Sequence, residues 1–485
     1  MSPRDGMITQ RPQPGAPRLY EFPATVRTTL PNGLAIAVTP MPGRALIAAS
    51  LLLRWGASDE PAAKAGATVL ATRGLTEGTE RYDAIALTEA AERLGASVHA
   101  EAGWDAISAG FDVPATRIGQ AMDLLAEVIR RPAFPTSEID RIRDERLTDL
   151  IQAKADPRRR ADEAFARSIY AADSPYHRPA GGAADTVAGI TADDLRAVHK
   201  GLAGPQRATL IVAGEVDPDE VIAFATSLFG DWEGGGSAGD APIDAPAETT
   251  RRVRVVHRPG AVQTEIRLGH PGLPRRTPDY HAVTVMSAIL GGLFNSRLNM
   301  NLREEKGYTY GAGAGFDMRR GRGPFSARAA VNTEVTVPAI VETLKELDRM
   351  RETAVTDAEL RAARDYLIGV FPLRFETPGP VVGSLASLYL HGLPDDELAT
   401  YRANIEAVTA ADVQRVAREH IRPEEAALIL VGDHDQFGAA LEALNLGPIT
   451  VEADDAPAEG EAPAEGEAPA EGERQASAEA EGEGR

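Results

Sequence analysis

Residues 290–310 read L-G-G-L-F-N-S-R-L-N-M-N-L-R-E-E-K-G-Y-T-Y and lie about two thirds of the way along the chain. An apolar helical pattern ends at the two glycines, resumes with charged residues, and ends again at Gly307 before a pattern typical of a β-strand. This layout predicts that Arg303 lies at the end of a helix and Tyr310 at the start of a strand. A tight turn at Gly307 would bring the two side chains close together.

The sequence around this stretch repeats features of the first half of the chain. Residues 191–214 align without a gap on residues 409–432, and nine of these 24 positions are identical, where composition alone would give roughly two. Strand patterns and amphipathic helical patterns alternate in both halves. The sequence therefore predicts an α+β protein built from two homologous mixed α/β domains joined by a linker.

Composition sets the expected domain boundaries. Residues 1–20 are rich in Pro, Gly and Arg, and residues 451–485 contain three copies of Ala-Pro-Ala-Glu-Gly-Glu. Neither segment has enough apolar side chains to offset the entropy cost of ordering, so we expect both to be disordered. The Gly-, Ala- and Pro-rich residues 233–250 are expected to form the linker. The N-terminal domain is then predicted at 21–232 and the C-terminal domain at 251–450.

Charge and composition exclude several classes of function. The net charge of −21 is concentrated in residues 451–485, whose twelve acidic and two basic residues account for −10 of it. No basic face of the kind that binds nucleic acid is expected. The absence of cysteine excludes disulfides, thiolate metal sites and cysteine nucleophiles. Without a signal-peptide pattern or an apolar run of membrane-spanning length, we expect a cytoplasmic protein with no membrane partner.

The pattern L-G-G-x-x-x-S-R-L-x-x-x-L-R-E-E-K-G-x-x-Y in residues 290–310 resembles the C-terminal-half signature of the insulinase/pitrilysin (inverzincin) zinc peptidases. Three other segments agree with this resemblance: L-P-N-G-L at 30–34, R-W-G-A-S-D-E at 54–60 and S-P-Y-H-R at 174–178. The resemblance covers roughly residues 25–445 and implies the duplicated fold of that family.

The resemblance also implies roles for individual residues. In the family an arginine and a tyrosine seven residues apart are held over the active site, which implies catalytic and substrate-binding roles for Arg303 and Tyr310, beside Gly291 and Gly292. A guanidinium can hold a peptide carbonyl or carboxylate through two parallel hydrogen bonds, and a phenol can donate to the developing oxyanion. Strand geometry alone does not separate Tyr310 from Tyr308, and only the family spacing favours Tyr310.

The zinc motif of the family, H-x-x-E-H, is implied on a helix in the first half and closes on Gly-Thr. Gly78-Thr79 sets the register in this chain. Val69 then occupies the position of the first histidine, Thr72 that of the glutamate and Arg73 that of the second histidine. The remaining ligand, a glutamate expected near residues 150–152, is also missing. A valine and a cation cannot hold zinc, so we expect no metal cofactor in this chain.

Two other polar clusters in the sequence are candidate sites. Among the nine histidines no two lie within five residues of each other, and His434 between Asp433 and Asp435 is the nearest approach to a ligand cluster. We expect this cluster to be solvated. Residues 319–322, R-R-G-R, are expected to form an exposed hairpin turn, which could hold acidic substrate residues or simply be solvated.

Together these features predict the metal-free subunit of a heterodimeric zinc metallopeptidase. Its partner would be a homologous subunit that carries H-x-x-E-H and zinc, and the pair would cut peptides, with Arg303 and Tyr310 acting in trans on the substrate. The chain alone would have no peptidase activity. The alternative is a catalytically silent structural or assembly protein of the same family, like the core subunits of a respiratory complex.

Overall fold

Two six-stranded sheets, one in each half of the chain, form the framework of the protein. The computed structural model describes residues 19–202, 204–235 and 246–454. Helices pack on both sheets, and the predicted α+β architecture with two mixed domains is confirmed. Most of the residues predicted to be disordered, and the centre of the predicted linker, lie outside the described residues.

The first sheet has the strand order β1-β2-β6-β3-β5-β4. Its strands are β1 (Val26–Thr29), β2 (Ala35–Pro40), β3 (Leu46–Leu53), β4 (Ser97–Ala102), β5 (Ile107–Pro114) and β6 (Ala208–Gly214). The helices of this half are α1 (Ala67–Gly74), α2 (Ala84–Arg93), α3 (Ile118–Arg130), α4 (Thr136–Ala155), α5 (Pro157–Ile169), α6 (Ala184–Val187), α7 (Ala192–Leu202) and α8 (Pro218–Phe229).

The second sheet has the strand order β12-β7-β11-β8-β10-β9. Its strands are β7 (Val253–His257), β8 (Gln263–Pro271), β9 (Ala312–Phe316), β10 (Pro324–Asn332), β11 (Ala427–Gly432) and β12 (Ile449–Ala453). The helices are α9 (Tyr280–Ser287), α10 (Arg297–Asn299), α11 (Thr336–Glu352), α12 (Asp357–Arg374), α13 (Pro378–His391), α14 (Glu397–Ala407), α15 (Ala410–His420) and α16 (His434–Ala443). Two π-helical segments, Ala288–Gly292 and Met300–Glu305, flank α10.

The two halves place equivalent strands at equivalent positions. The central strand β6 pairs parallel to β2 and antiparallel to β3, and β11 pairs parallel to β7 and antiparallel to β8. These are the two strands that the alignment of 191–214 on 409–432 superimposes. Every residue of both strands is buried, which explains why their sequences are continuous apolar runs rather than alternating ones.

One helix of each half packs on the sheet of the other half. The chain turns sharply between α4 and α5, where Pro157 begins the new helix and the Asp156 carboxylate accepts hydrogen bonds from its first N–H groups. Helix α5 then packs on β8 and β11 of the second sheet. Helix α13 of the second half packs in turn on β3 and β6 of the first. The exchange buries one face of each sheet against the opposite half.

Three boundaries differ from the sequence prediction. Strand β12 runs to Ala453 and pairs with β7, so the predicted acidic tail begins at least three residues later than 451. Tyr20, which was assigned to the disordered N-terminus, packs its ring against Phe371 and Phe375. At the edge of the predicted linker, Ala247 bridges to Tyr170. In each case a strand partner or an aromatic cluster far away in the sequence orders the residue.

No helix within residues 19–202, 204–235 and 246–454 combines the length and the apolar character needed to cross a bilayer.

Candidate functional site

The stretch 290–310 folds as a broken helix that ends next to an edge strand. The π-helical segment Ala288–Gly292 continues α9, and the segment Met300–Glu305 carries Arg303 in its last turn. Gly307 adopts a left-handed conformation with φ of +67°, which reverses the chain. Tyr310 follows three residues later, two residues before β9 begins at Ala312. Arg303 therefore lies at the predicted helix end, whereas Tyr310 lies in the loop that leads into the strand.

The two glycines of this stretch differ in their surroundings. A Cβ atom at Gly291 would lie 2.1 Å from the backbone nitrogen of Ala314, so only glycine allows the π-helical segment to approach β9 this closely. A Cβ atom at Gly292 would lie 3.2 Å from the carbonyl oxygen of Ser287, a much milder contact. Gly291 therefore has a packing role: it allows the π-helical segment to lie directly against β9.

The guanidinium of Arg303 lies over the ring of Phe294, 4.7 Å from the ring centroid. Its Nε atom is 3.3 Å from the carboxylate of Glu304, and 39% of the side chain is exposed. Within the part of the chain that the structure describes, neither terminal nitrogen of this guanidinium has a hydrogen-bond partner. Both nitrogens can therefore bind an external carbonyl or carboxylate without breaking an internal hydrogen bond.

Tyr310 and Tyr308 have different surroundings. Tyr308 is half-buried and packs against the core of the second half. Tyr310 is 91% exposed, and its hydroxyl has no partner among the described residues. Between them, the hydroxyl of Thr309 donates to the carbonyl of Ala330 on β10 and anchors the loop to the sheet. The Tyr310 phenol is thus free to donate a hydrogen bond outside the chain.

A buried ion pair, which the sequence reasoning missed, anchors this stretch. Arg297 has 5% of its side chain exposed, and it donates to both carboxylate oxygens of Glu359 over 2.7 and 3.1 Å. The same carboxylate caps α12 by accepting the backbone N–H of Thr356. Burial alone would raise the pKa of Glu359, but the hydrogen bonds from Arg297 and Thr356 outweigh it and lower the pKa to about 2.

Two buried asparagines complete the support and were also missed. Asn299 donates to the carbonyl of Phe294 at 2.7 Å and accepts from the backbone N–H of Ala312 at 3.3 Å. Asn301 donates to Glu342 and Glu346 on α11, in each case at 2.9 Å. The signal in the sequence is the alternation of two amides with Leu298, Met300 and Leu302, because a buried amide side chain needs hydrogen-bond partners nearby.

The residues predicted to occupy the zinc-motif positions lie on α1. Gly66, with φ of +98°, precedes the helix, and the buried carboxylate of Glu60 accepts hydrogen bonds from the N–H groups of Gly66 and Thr68 at 2.8 Å. Burial raises the pKa of this carboxyl. Val69 is half-buried on the helix, and Arg73 follows it one turn later. The helix expected for the motif is therefore present.

The side chains at these positions do not fit zinc. Val69 has no donor atom, and the Thr72 hydroxyl is buried and donates to the carbonyl of Thr68 at 2.9 Å. Arg73 forms an ion pair of 2.7 Å with Glu145 on the neighbouring helix α4. Asp149, next to the expected position of the remaining ligand, is paired with Arg146 and Arg159. These side chains do not fit a zinc ligand set, and the neighbouring guanidinium groups of Arg73, Arg146 and Arg159 would repel a divalent cation.

The cluster at His434 includes one residue that is distant in the sequence. His257, at the end of β7, lies 3.9 Å from Asp433 and 3.8 Å from Asp435. The Nδ1 atom of His257 accepts the backbone N–H of His434 over 3.1 Å, so this ring nitrogen is already occupied by a contact within the chain.

The expectation of an exposed turn at residues 319–322 was wrong. The guanidinium of Arg319 lies between the rings of Trp104 and Tyr176, at 4.9 and 4.8 Å from their centroids. Asp105 accepts the backbone N–H of Arg320 at 2.8 Å and the hydroxyl of Tyr176 at 3.0 Å. The turn forms a contact between the two halves. The residues that bind it, Trp104, Asp105 and Tyr176, lie far away in the sequence.

Two sequence profiles match consecutive parts of the chain, and the second match begins in the first half and continues across the predicted linker. Residues 36–177 match the sequence profile described as "Insulinase (Peptidase family M16)", and residues 189–367 match the one described as "Peptidase M16 inactive domain". An uncharacterized zinc protease of Streptomyces coelicolor is 26% identical over 81% of this chain and 86% of its own length. A probable mitochondrial-processing peptidase subunit beta of Arabidopsis thaliana is 23% identical over 85% of this chain and 79% of its own.

Solved structures agree on the fold. A peptidase M16 inactive domain from Pseudomonas fluorescens superimposes with a TM-score of 0.80 at 24% identity, covering 84% of this chain and 98% of its own. A protease from Helicobacter pylori gives a TM-score of 0.80 at 20% identity, covering 85% of this chain and all of its own. The duplicated sheets agree with the fold of these solved structures. The two matching profiles show that the chain belongs to the insulinase family of M16 peptidases.

Proposed function

We propose that this chain is the metal-free subunit of a heterodimeric zinc metallopeptidase. The observation that supports this most is the contrast between two positions. Arg303 and Tyr310 present unpaired donors to solvent, whereas Val69, Thr72 and Arg73 cannot hold a metal. A chain with the substrate-binding groups but without the metal ligands is suited to act together with a homologous chain that carries H-x-x-E-H.

In the proposed complex, Arg303 fixes a carbonyl or carboxylate of the peptide substrate, and Tyr310 donates a hydrogen bond to the oxyanion that forms at the attacked carbonyl. The partner subunit supplies zinc and the general base. The similarity to a mitochondrial-processing peptidase subunit and to an M16 inactive domain supports an assembly of this kind.

Peptide hydrolysis by three samples tests the proposal: this chain alone, a homologous chain with H-x-x-E-H alone, and both together. We expect hydrolysis to rise at least tenfold in the mixture. Arg303→Ala and Tyr310→Phe should each lower kcat/KM of the mixture by about 10²- to 10³-fold, the usual cost of losing one transition-state donor. Tyr308→Phe, which removes a half-buried hydroxyl two residues away, is the matched control and should leave the rate nearly unchanged.

A mixture no faster than the zinc-bearing chain alone would contradict the proposal and favour a structural role. Size-exclusion chromatography of the same mixture separates the two explanations for such a result. A stable complex without added activity would identify a silent assembly subunit, and no complex at all would show that the chosen partner is the wrong one.

A further inference from the structure

Phe294 is 64% exposed, and no other phenylalanine among the described residues is exposed to solvent to this extent. It sits in the loop between the first π-helical segment and α10, directly beneath the guanidinium of Arg303. The buried amide of Asn299 holds the carbonyl of Phe294 on one side and the N–H of Ala312, at the start of β9, on the other. The loop that presents the ring is therefore fixed relative to the segment that carries Tyr310.

We propose that Phe294 has two roles that deepen the proposed function: it orients the guanidinium of Arg303, and it selects peptides with a large apolar side chain next to the carbonyl or carboxylate that Arg303 binds. The first role follows from the 4.7 Å cation–π geometry. That contact and the Nε–Glu304 pair hold the guanidinium, while its two terminal nitrogens have no hydrogen-bond partner among the described residues.

The second role, selection of a large apolar side chain, follows from the part of the Phe294 ring that Arg303 does not cover. Arg303 covers part of the Phe294 ring and the rest faces solvent, so a peptide held by the guanidinium places its neighbouring side chain within reach of an aromatic surface. An apolar side chain gains by excluding water there, whereas a charged or small one does not. The expected ligand is thus an extended peptide with an aromatic or large aliphatic residue beside the bound carbonyl group.

Saturation-transfer NMR on the full chain without a partner tests both roles. The probes are N-acetyl-phenylalanine and N-acetyl-alanine, which share a carboxylate and differ in the side chain. We expect the wild-type chain to bind the phenylalanine derivative about 3- to 10-fold more tightly, from the area that the larger side chain buries. Phe294→Ala should bring this ratio close to one. Phe294→Tyr should keep it, because a ring remains.

Phe294→Leu separates orientation from apolar contact. It keeps an apolar surface but removes the ring face, so it should weaken both ligands by about 2- to 5-fold and retain the preference between them. Arg303→Ala should weaken both ligands strongly. Thermal unfolding of each variant checks that the fold is intact, which is expected for so exposed a residue. An unchanged ratio in Phe294→Ala, or no preference in the wild type, would overturn the inference.

The inference and the proposed function fail separately. Selective binding by the isolated chain, combined with an inactive mixture of subunits, would retain the peptide site and reject the peptidase role. An active mixture whose KM for matched Phe- and Ala-containing peptides does not respond to Phe294→Ala would keep the peptidase role and reject the selection by Phe294.

Discussion

At the scale of single residues, two arginines six positions apart show how burial assigns their roles. Arg297 is almost fully buried, and its Nε and Nη2 atoms donate to the two carboxylate oxygens of Glu359. Arg303 is partly exposed, and its terminal nitrogens remain unpaired among the described residues. The same residue type therefore stabilises the fold in one case and is available for binding in the other. The degree of burial and the hydrogen bonds to Glu359 distinguish Arg297 from Arg303.

The Arg297–Glu359 pair predicts a specific pH dependence of stability. The pKa of Glu359 falls from its ordinary value of 4.5 to about 2 in the folded chain. Because the folded-state pKa is the lower one, the carboxylate contributes stability above about pH 4.5, and this contribution is lost as the pH falls toward 2. The shift corresponds to on the order of 3 kcal/mol. Glu359→Gln should lower the free energy of unfolding by about that amount at pH 7.

Urea denaturation of the wild type and Glu359→Gln between pH 7 and pH 3 measures this difference. We expect the gap between the two proteins to shrink as the pH is lowered. Asp357→Asn, an exposed acid in the first turn of the same helix, is the control and should cost less than about 1 kcal/mol. A gap that stays constant across this pH range would show that the ionised carboxylate is not the source of the stability.

At the scale of secondary-structure elements, the candidate site depends on a helix that is interrupted twice. The interruption between the first π-helical segment and α10 holds Phe294, the second π-helical segment holds Arg303, and the contact at Gly291 brings this broken helix against β9. Widened turns of this kind are frequent at functional sites, because they redirect side chains that a regular helix would point elsewhere. The approach of helix to strand therefore determines where Arg303 and Tyr310 lie.

Gly291→Ala tests this approach. The added Cβ would meet the backbone of Ala314 at 2.1 Å, so the helix or the strand must move, and we expect a loss of about 1–3 kcal/mol in the free energy of unfolding. Gly315→Ala in the same strand is the matched control, since no atom lies within 4 Å of its added Cβ. Thermal or urea unfolding of both variants gives the comparison. Equal stability of the two would mean that the contact with Gly291 is not tightly packed.

At the scale of the whole molecule, the two halves are interlocked rather than merely adjacent. Helices α5 and α13 are exchanged between the sheets, and the turn at 319–322 is held by Trp104, Asp105 and Tyr176 of the first half. The buried guanidinium of Arg267 on β8 adds an ion pair of 2.6 Å to Asp162 on α5. Each half therefore needs the other to cover its sheet.

Separate expression of residues 21–235 and 246–454 tests this dependence. Each fragment alone would expose the sheet face that the exchanged helix of the other half covers, so we expect no cooperative unfolding transition and strong binding of a hydrophobic dye. Co-expression of both fragments should restore a cooperative transition. A sharp thermal transition in the isolated first fragment would contradict the prediction. Circular dichroism and dye fluorescence are sufficient measurements.

The sequence by itself determined the local architecture. Its periodic patterns and the internal repeat predict two homologous mixed α/β domains, and the structure confirms them as two six-stranded sheets with helices packed on each. The substitutions at Val69, Thr72 and Arg73 already excluded a zinc ligand set, because ligand chemistry is a property of residue type. These features depend on neighbours within one or two turns of the chain, so they can be read without the fold.

Only the tertiary structure decided which polar residues are buried and with what partners. The turn at 319–322 has the composition of a solvated loop, yet Arg319 is enclosed by two rings from residues more than 140 positions away. The pairing of Arg297 with Glu359, the bridging by Asn299 and the exchange of α5 and α13 also depend on distant partners. A charged side chain can be buried only when the fold brings it a partner that offsets the free-energy cost of removing it from water. When that partner is distant in the sequence, the sequence pattern does not reveal it.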